Sequence, residues 1–404
     1  MAVVLRYIII FICIYGLFFG GSLKIIGLLS LRLLLSVFSL FYVILNKKQI
    51  KKNSIFSLYL VYLLVYIFAN VINGELLSYE FWQSIIAFHL PCVFLFLFLT
   101  VFLKTEENLT KICTVLSVIY LFNCILTIGQ FFNDARAWEL GQLLGMGSTD
   151  IKDSYLLSEN NFGRSICNGL FYSAVDNGYF IASFLPIVTK GVWSDNKVFK
   201  FSAFLFLCLA FTTSYMIQQR MCFLLILAYL CFIFIFKFSK AYKILFVFLS
   251  IILISFMYEL LFNIDMGRLS VETENTDRYE LFDKFATYLT TPESLFGGRL
   301  YYFQNYGLIQ HNSLLASWIF SGLLGFLVFV KLYFKCMYNN INSLIVSLKL
   351  KKYLPVAFLL SCIFFNIYSL THSSGIHQGD ITYWFSYSLF LVSFKNAKFN
   401  RKKN

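Results

Sequence analysis

Between a cluster of lysines (Lys47, Lys48, Lys51 and Lys52) and the polar stretch Asn73-Gly74-Glu75 runs the segment SIFSLYLVYLLVYIFANVI, Ser54–Ile72, without a single charged side chain. At about 1.5 Å per residue, a helix of this length crosses about 30 Å of hydrocarbon. Apolar side chains occupy every face of such a helix, so it has no side to present to water. The same pattern of apolar run, charged punctuation and apolar run recurs along the whole chain. Hydrophobic residues make up 59% of it and charged ones 13%, a balance that excludes a water-soluble fold of this length. The sequence therefore predicts an all-α fold: a polytopic membrane helix bundle, read as one integral membrane domain over 1–404.

Working outward from 54–72, the runs predict about twelve transmembrane helices, at 3–21, 25–45, 54–72, 81–103, 112–132, 170–189, 198–215, 221–238, 242–262, 312–334, 353–371 and 380–394. The first run has no A-x-A-like cleavage site and reads as a helix rather than a signal peptide. Alternate loops carry the cations: Lys47 to Lys52, Lys104 and Lys111, Lys190 to Lys200, Lys237 to Lys243, Lys335 to Lys352, and the tail from Lys395 to Lys403. By the positive-inside rule these loops and both termini face the cytoplasm. The formal charge of +13 thus reports topology; the lysines form no basic face for nucleic acid. The ten cysteines lie mostly inside apolar runs and form no C-x-x-C pair, which gives no disulfide or metal framework.

Two loops on the opposite side are too long for simple connections: an external loop over 133–169 and a large external loop over 263–311. Within the second, Leu281, Phe282, Phe285 and Leu289 recur at helical spacing from Arg278 onward, opposite Asp283 and Lys284, with Asp277 as the expected cap and Glu280 at the capping-box position. This amphipathic helix lies along the outer membrane surface or packs on the bundle. Pro292 and the pair Gly297-Gly298 then break the chain.

The chemistry-bearing residues gather on this outer side. Arg278 sits in the first turn of that helix, where a cation opposes the helix dipole; an anion cradle and a surface ion pair with Asp277, Glu274 or Glu280 both account for it. Arg220 stands at the external end of a span, as a snorkelling side chain or as a ligand for an anionic group. His311, in Gln310-His311-Asn312-Ser313, stands where the large loop meets the next span, as a general base or as a hydrogen-bonded structural residue. Arg164 and Arg299 are further cations in the two long loops. Asp176 and Asn177, at the mouth of a span, line a cavity or bond helix to helix. His89, near Pro91, reads as structural, and His372 with His377 near Asp380 lack further metal ligands. Trp318 lines a groove for a lipid tail or anchors at the interface. No Walker loop, Rossmann glycine pattern, H-E-x-x-H or G-x-S-x-G occurs.

Phe296-Gly297-Gly298, His311-Asn312-Ser313-Leu314-Leu315 and Gly322-Leu323-Leu324-Gly325 together resemble the signature of the O-antigen polymerase and O-antigen ligase superfamily. Arg278 resembles the arginine that opens the loop helix in that family. Arg220 resembles the arginine after a serine- or threonine-rich helix end, although this chain has Gln219-Arg220-Met221 where the family carries Ser-Arg-Gly. The resemblance implies a membrane-embedded glycosyltransferase of the bacterial inner membrane, metal-independent and without cofactor. Its substrate would be an undecaprenyl (polyprenyl) diphosphate-linked oligosaccharide of surface-polysaccharide or lipopolysaccharide biosynthesis. His311, Arg278 and Arg220 would then be catalytic, and Arg164, Arg299, Asn312, Asp176 and Asn177 substrate-binding. A chain-length regulator is a candidate partner. O-antigen ligase, with lipid A core as acceptor, is the alternative within the family, and a lipid-linked glycan flippase is the non-enzyme alternative.

Overall fold

A computed structural model describes residues 2–19, 24–26, 29–46, 52–103, 106–146, 167–171, 173–217, 219–237, 275–307, 312–371 and 375–399. Its elements in chain order are α1 (Ala2–Phe19), a short antiparallel pair β1 (Lys24–Ile26) and β2 (Leu29–Ser30), α2 (Leu31–Leu45), α3 (Ser54–Ile72), α4 (Tyr79–Gln83), α5 (Leu90–Phe102), α6 (Glu106–Phe131), α7 (Ala135–Gly141), α8 (Ala174–Val188), α9 (Lys197–Ile217), α10 (Arg220–Lys237), α11 (Asn275–Leu289), α12 (Glu293–Phe296), α13 (Arg299–Tyr306), α14 (Ser313–Lys349), α15 (Tyr353–Ser369) and α16 (Ile381–Phe399). The described residues are almost entirely helical, in keeping with a helical membrane protein. Six helical stretches among the described residues are long and apolar enough to cross a bilayer: 54–72, 79–102, 107–131, 197–217, 220–237 and 313–349. Shorter apolar helices cover 32–45, 353–369 and 381–394. Large apolar side chains are exposed on these helices, as at Phe38 (69%), Leu64 (66%) and Phe204 (59%), which suits surfaces whose solvent is lipid.

The expected span 54–72 coincides with α3, whose start is set by Asn53: its side chain accepts hydrogen bonds from the amides of Ile55 and Phe56, both at 3.0 Å. Other expectations need correction. The span expected over 25–45 becomes helical only at Leu31, because β-branched Ile25 and Ile26 enter the β1–β2 pair instead. The span expected to end at 334 runs on to Lys349, since no glycine or proline follows Gly325 within it. The loop helix already begins at Asn275, so Asp277 lies inside it rather than capping it. The loop over 133–169 contains α7, capped by Asp134. The run 242–262 lies outside the described residues.

Tyr79 to Phe102 is one rod with a widened turn. Pro91 has no amide to offer the carbonyl of Ala87, and the helix passes through a π-helical segment, Ser84–His89, closed by the Leu90 amide on the Ile85 carbonyl.

The described residues form two compact units, 1–116 with 279–404, and 117–278. In the first, α14 packs along α3 and α15, α16 along α15 and α5, and α2 along α5. Its centre is aromatic, with Tyr59, Tyr62, Tyr383 and Trp384 wholly buried. In the second, α8 packs between α9 and α10.

Candidate functional site

The loop after α11 meets the bundle at a break in α14. Gly322 has φ 65° and ψ −173°, a conformation open only to glycine, and it interrupts the helix nine residues from its start. An interrupted helix frees carbonyls, and a buried carbonyl needs a donor. The loop and α3 supply them: the Gly298 amide bonds the Ile319 carbonyl at 2.9 Å, and Asn70 Nδ2 reaches the Phe320 carbonyl at 3.4 Å. The approach is closest at Gly297 (φ 83°), where a Cβ would meet the Gly322 nitrogen at 2.5 Å; one on Gly322 would meet the Leu295 carbonyl oxygen at 2.4 Å. Two flanking bonds hold the seam. Trp318 Nε1 donates to the Ser294 carbonyl at 2.9 Å, and Asn73 Nδ2 to the Phe296 carbonyl at 3.3 Å. The glycine pair and the Gly-x-x-Gly segment singled out in the sequence are therefore parts of one contact.

Arg299 follows this seam. Its guanidinium carbon stands 5.1 Å above the centre of the Phe320 ring, within the range of a cation–π contact. The neighbouring Leu300 amide donates to Glu75 Oε1 at 3.1 Å. Burial pushes the Glu75 carboxyl above its ordinary value, while the Leu300 amide and the Arg299 charge pull it back. Because the folded pKa is raised, its stabilising contribution is complete below the unfolded value and is lost as pH rises through the folded one. Glu75→Gln should remove that dependence: between pH 4 and 8 the melting temperature of wild type should fall relative to the variant. Parallel melting curves would refute the raised carboxyl.

Above the seam lies an aromatic cluster. Phe285, Tyr288 and Tyr302 are buried around Ile319, with Tyr288 and Tyr302 in edge contact at 5.1 Å between centroids. Trp318 stacks on Phe326 at 4.6 Å. Its indole thus clamps the loop onto α14, a role beyond the groove-lining and anchoring readings. On α11 the inward face is Leu281, Phe285 and Tyr288, whereas Phe282 and Leu289 point outward.

The remaining expected site residues fall as follows. Asn312 caps α14, accepting from the amides of Leu314 and Leu315 at 2.9 and 3.2 Å and donating to the Leu370 carbonyl at 3.0 Å. His311, Arg164 and His372 lie outside the described residues, and Arg278 is the fourth residue of α11. Arg220 opens α10 and is half-buried. Ser173 caps α8 by accepting from the Asp176 amide at 3.1 Å, and its hydroxyl donates to Asp176 Oδ2 at 2.8 Å. Asn177 is wholly buried and fully used: Oδ1 accepts from Asn123 Nδ2 at 2.7 Å, and Nδ2 donates to Thr127 Oγ1 at 3.0 Å and the Cys167 carbonyl at 3.2 Å. Of the two readings of Asn177, helix-to-helix bonding is the one realised. Asn177→Ala strands the Asn123 amide and should cost about 1–3 kcal/mol, read as a lowered melting temperature in detergent; an unchanged one would contradict the bond network.

Sequence reasoning passed over Glu75 and Phe320. Glu75 was visible only as one acid in the polar stretch after the 54–72 run, and nothing in an apolar run distinguishes Phe320 from its neighbours. Among the described residues, no group of three or more His, Cys, Asp and Glu side chains is placed to hold a metal. No protein-family model matches the chain, and no curated protein matches it.

Proposed function

We propose that this chain polymerises polyprenyl-diphosphate-linked oligosaccharide repeat units on the outer face of the bacterial cytoplasmic membrane. In this reading about twelve spans place both termini in the cytoplasm, and the segments around Arg220, Arg278 and His311 face outward. The observation that supports it is the seam itself: Gly297-Gly298 seats against the break at Gly322, so the two glycine segments of the polymerase-like signature are neighbours in the fold. That seat fixes the end of the large loop against the start of α14, whose cap Asn312 directly follows His311.

The chemistry required is modest. The donor's anomeric carbon bears a diphosphate, and Arg278 and Arg220 stabilise the charge that develops as it leaves. His311 accepts the proton of the attacking sugar hydroxyl. Arginines supply the positive charge that many glycosyltransferases take from a divalent cation. Arg299 is already engaged with Phe320 and lies beside Glu75, so we assign it to holding the loop.

A second reading has a specific observation in its favour. Interrupted membrane helices are typical of secondary transporters, and α14 is interrupted at Gly322, which suits a lipid-linked glycan transporter. Ligation to lipid A core shares the donor chemistry. The three are separated by reconstituting the protein in vesicles with a labelled lipid-linked repeat unit. Elongation without any other acceptor supports polymerisation, transfer only when lipid A core is added supports ligation, and movement between leaflets without bond formation supports transport.

A further inference from the structure

The short turn Ile376–Gln378, between α15 and α16, carries His377 into the interior of the first unit. The residue is 0% exposed, its ring edged by Phe320 at 5.6 Å and Phe329 at 5.3 Å, and its carbonyl accepts the Tyr62 hydroxyl at 3.3 Å. Two residues later, Gly379 rests on the backbone of His89: a Cβ there would meet the His89 nitrogen at 2.8 Å. The Gly379 carbonyl accepts the Cys92 thiol at 2.8 Å, which fixes the approach. His89 is also 0% exposed and is the last residue of the π-helical segment, a kind of irregularity that often marks functional positions. Its Nδ1 is bonded to the Tyr59 hydroxyl at 2.9 Å. The turn and the widened helix thus bring two buried imidazoles together, close enough to interact electrostatically.

Three ring atoms of this pair, Nδ1 and Nε2 of His377 and Nε2 of His89, have no hydrogen-bond partner among the described residues. A buried polar atom left unpaired is costly, and folded proteins rarely accept three in one place. We propose that these nitrogens bind small neutral hydroxylic molecules, water in the first instance, one of them bridging the two imidazoles, at a site enclosed by the 376–378 turn, the π-helical segment and Phe320 and Phe329 of α14.

The chemistry selects that ligand class. Burial pushes the His377 imidazole down to about 3, so at neutral pH it presents one N–H donor and one lone pair. Water complements either, but the two nitrogens of one ring point in divergent directions, so one water bridges a His377 nitrogen and His89 Nε2 and a second meets the other His377 nitrogen. If the Tyr59 hydroxyl donates to His89 Nδ1, Nε2 carries the proton and points a donor at the bridging water. An anion would need a cation among its ligands. A metal would need more donors than two imidazoles, and no suitable group of three exists among the described residues. The charged groups electrostatically linked to this region, Arg32 on α2 and Asp380 after the turn, are of opposite sign and act on one another. Arg299 lies against Phe320, and among the described residues the other titratable neighbours are Tyr59, Tyr62, Tyr66 and Cys92. The site stands whether or not the chain polymerises glycans.

The test is solid-state NMR of the full-length protein in liposomes, labelled with 15N-histidine, with magnetisation transferred from water to the ring nitrogens. Signals are assigned by the single variants His89→Phe and His377→Phe, each of which keeps a ring in an aromatic setting. The expected result is two neutral imidazoles unchanged between pH 5 and 8, both receiving transfer from a slowly exchanging water, with the His89 transfer lost in His377→Phe. Absence of transfer to either ring in wild type overturns the proposal. So does a His89 transfer that survives undiminished in His377→Phe, because the water would then belong to another site. Should His377→Phe fail to fold, His377→Gln, which keeps a donor and an acceptor, is expected to fold and to retain transfer to His89; loss of that transfer in a folded His377→Gln also overturns it.

Discussion

His311→Ala is expected to reduce glycan elongation by about a hundredfold to ten-thousandfold, the range for losing a positioned general base, while leaving the melting temperature close to wild type. Asn312 makes the bonds that start α14 and tie it to Leu370, and these do not depend on the imidazole next to it in the chain being kept. Removing the neighbouring imidazole should therefore spare the fold. Arg278→Ala should lower elongation by about a hundred- to a thousandfold, as for one electrostatic contact to a leaving group. Arg278→Lys should recover only part of that loss, because an ammonium cannot offer a paired fork to phosphate oxygens. An initial-rate assay on purified variants reads both. Full activity in His311→Ala would return that histidine to a structural role.

The largest stability effect should come from Gly322→Ala. The substitution places a non-glycine residue at φ 65°, ψ −173°, which alone costs about 1–3 kcal/mol. It also drives a methyl group against backbone atoms of the loop, the Leu295 oxygen at 2.4 Å and the Phe296 carbonyl carbon at 2.5 Å. Backbone on both sides cannot step aside as a side-chain tip can. The loop must therefore lift off α14 and leave the Ile319 carbonyl without the Gly298 amide. We expect a loss of at least about 3 kcal/mol in all. Gly307→Ala is the control: φ there is 82°, but nothing lies within 4 Å of the added carbon. It carries backbone strain without a collision. If thermal unfolding gave the two variants equal melting temperatures, the seam would not be a structural joint.

What could be read in advance divides along physical lines. The run Ser54–Ile72 was legible because an uncharged helix bounded by Asn53 and Asn73 has only one thermodynamic home. The length of α14 was not, since hydropathy falls after Lys335 while nothing there stops helical hydrogen bonding. Gly297, Gly298 and Gly322 could be recognised as chain breaks. Their mutual contact could not, because one sequence carries no information on which break fills which. On α11 the apolar spacing was right but the face was too wide: Leu281, Phe285 and Tyr288 lie within a narrow stripe, and Phe282 and Leu289 sit about a quarter-turn away. Asn177 shows the opposite limit. A polar residue in an apolar helix start announces that it needs partners, but only the fold names them as Asn123, Thr127 and Cys167.

The most direct test of the central proposal is to incubate the purified wild-type protein with a polyprenyl-diphosphate-linked repeat unit, with a chelator present and no other acceptor, and to resolve the products by size. The account predicts a ladder of lipid-linked chains spaced by one repeat. A single unextended band under conditions where the protein remains folded would contradict it.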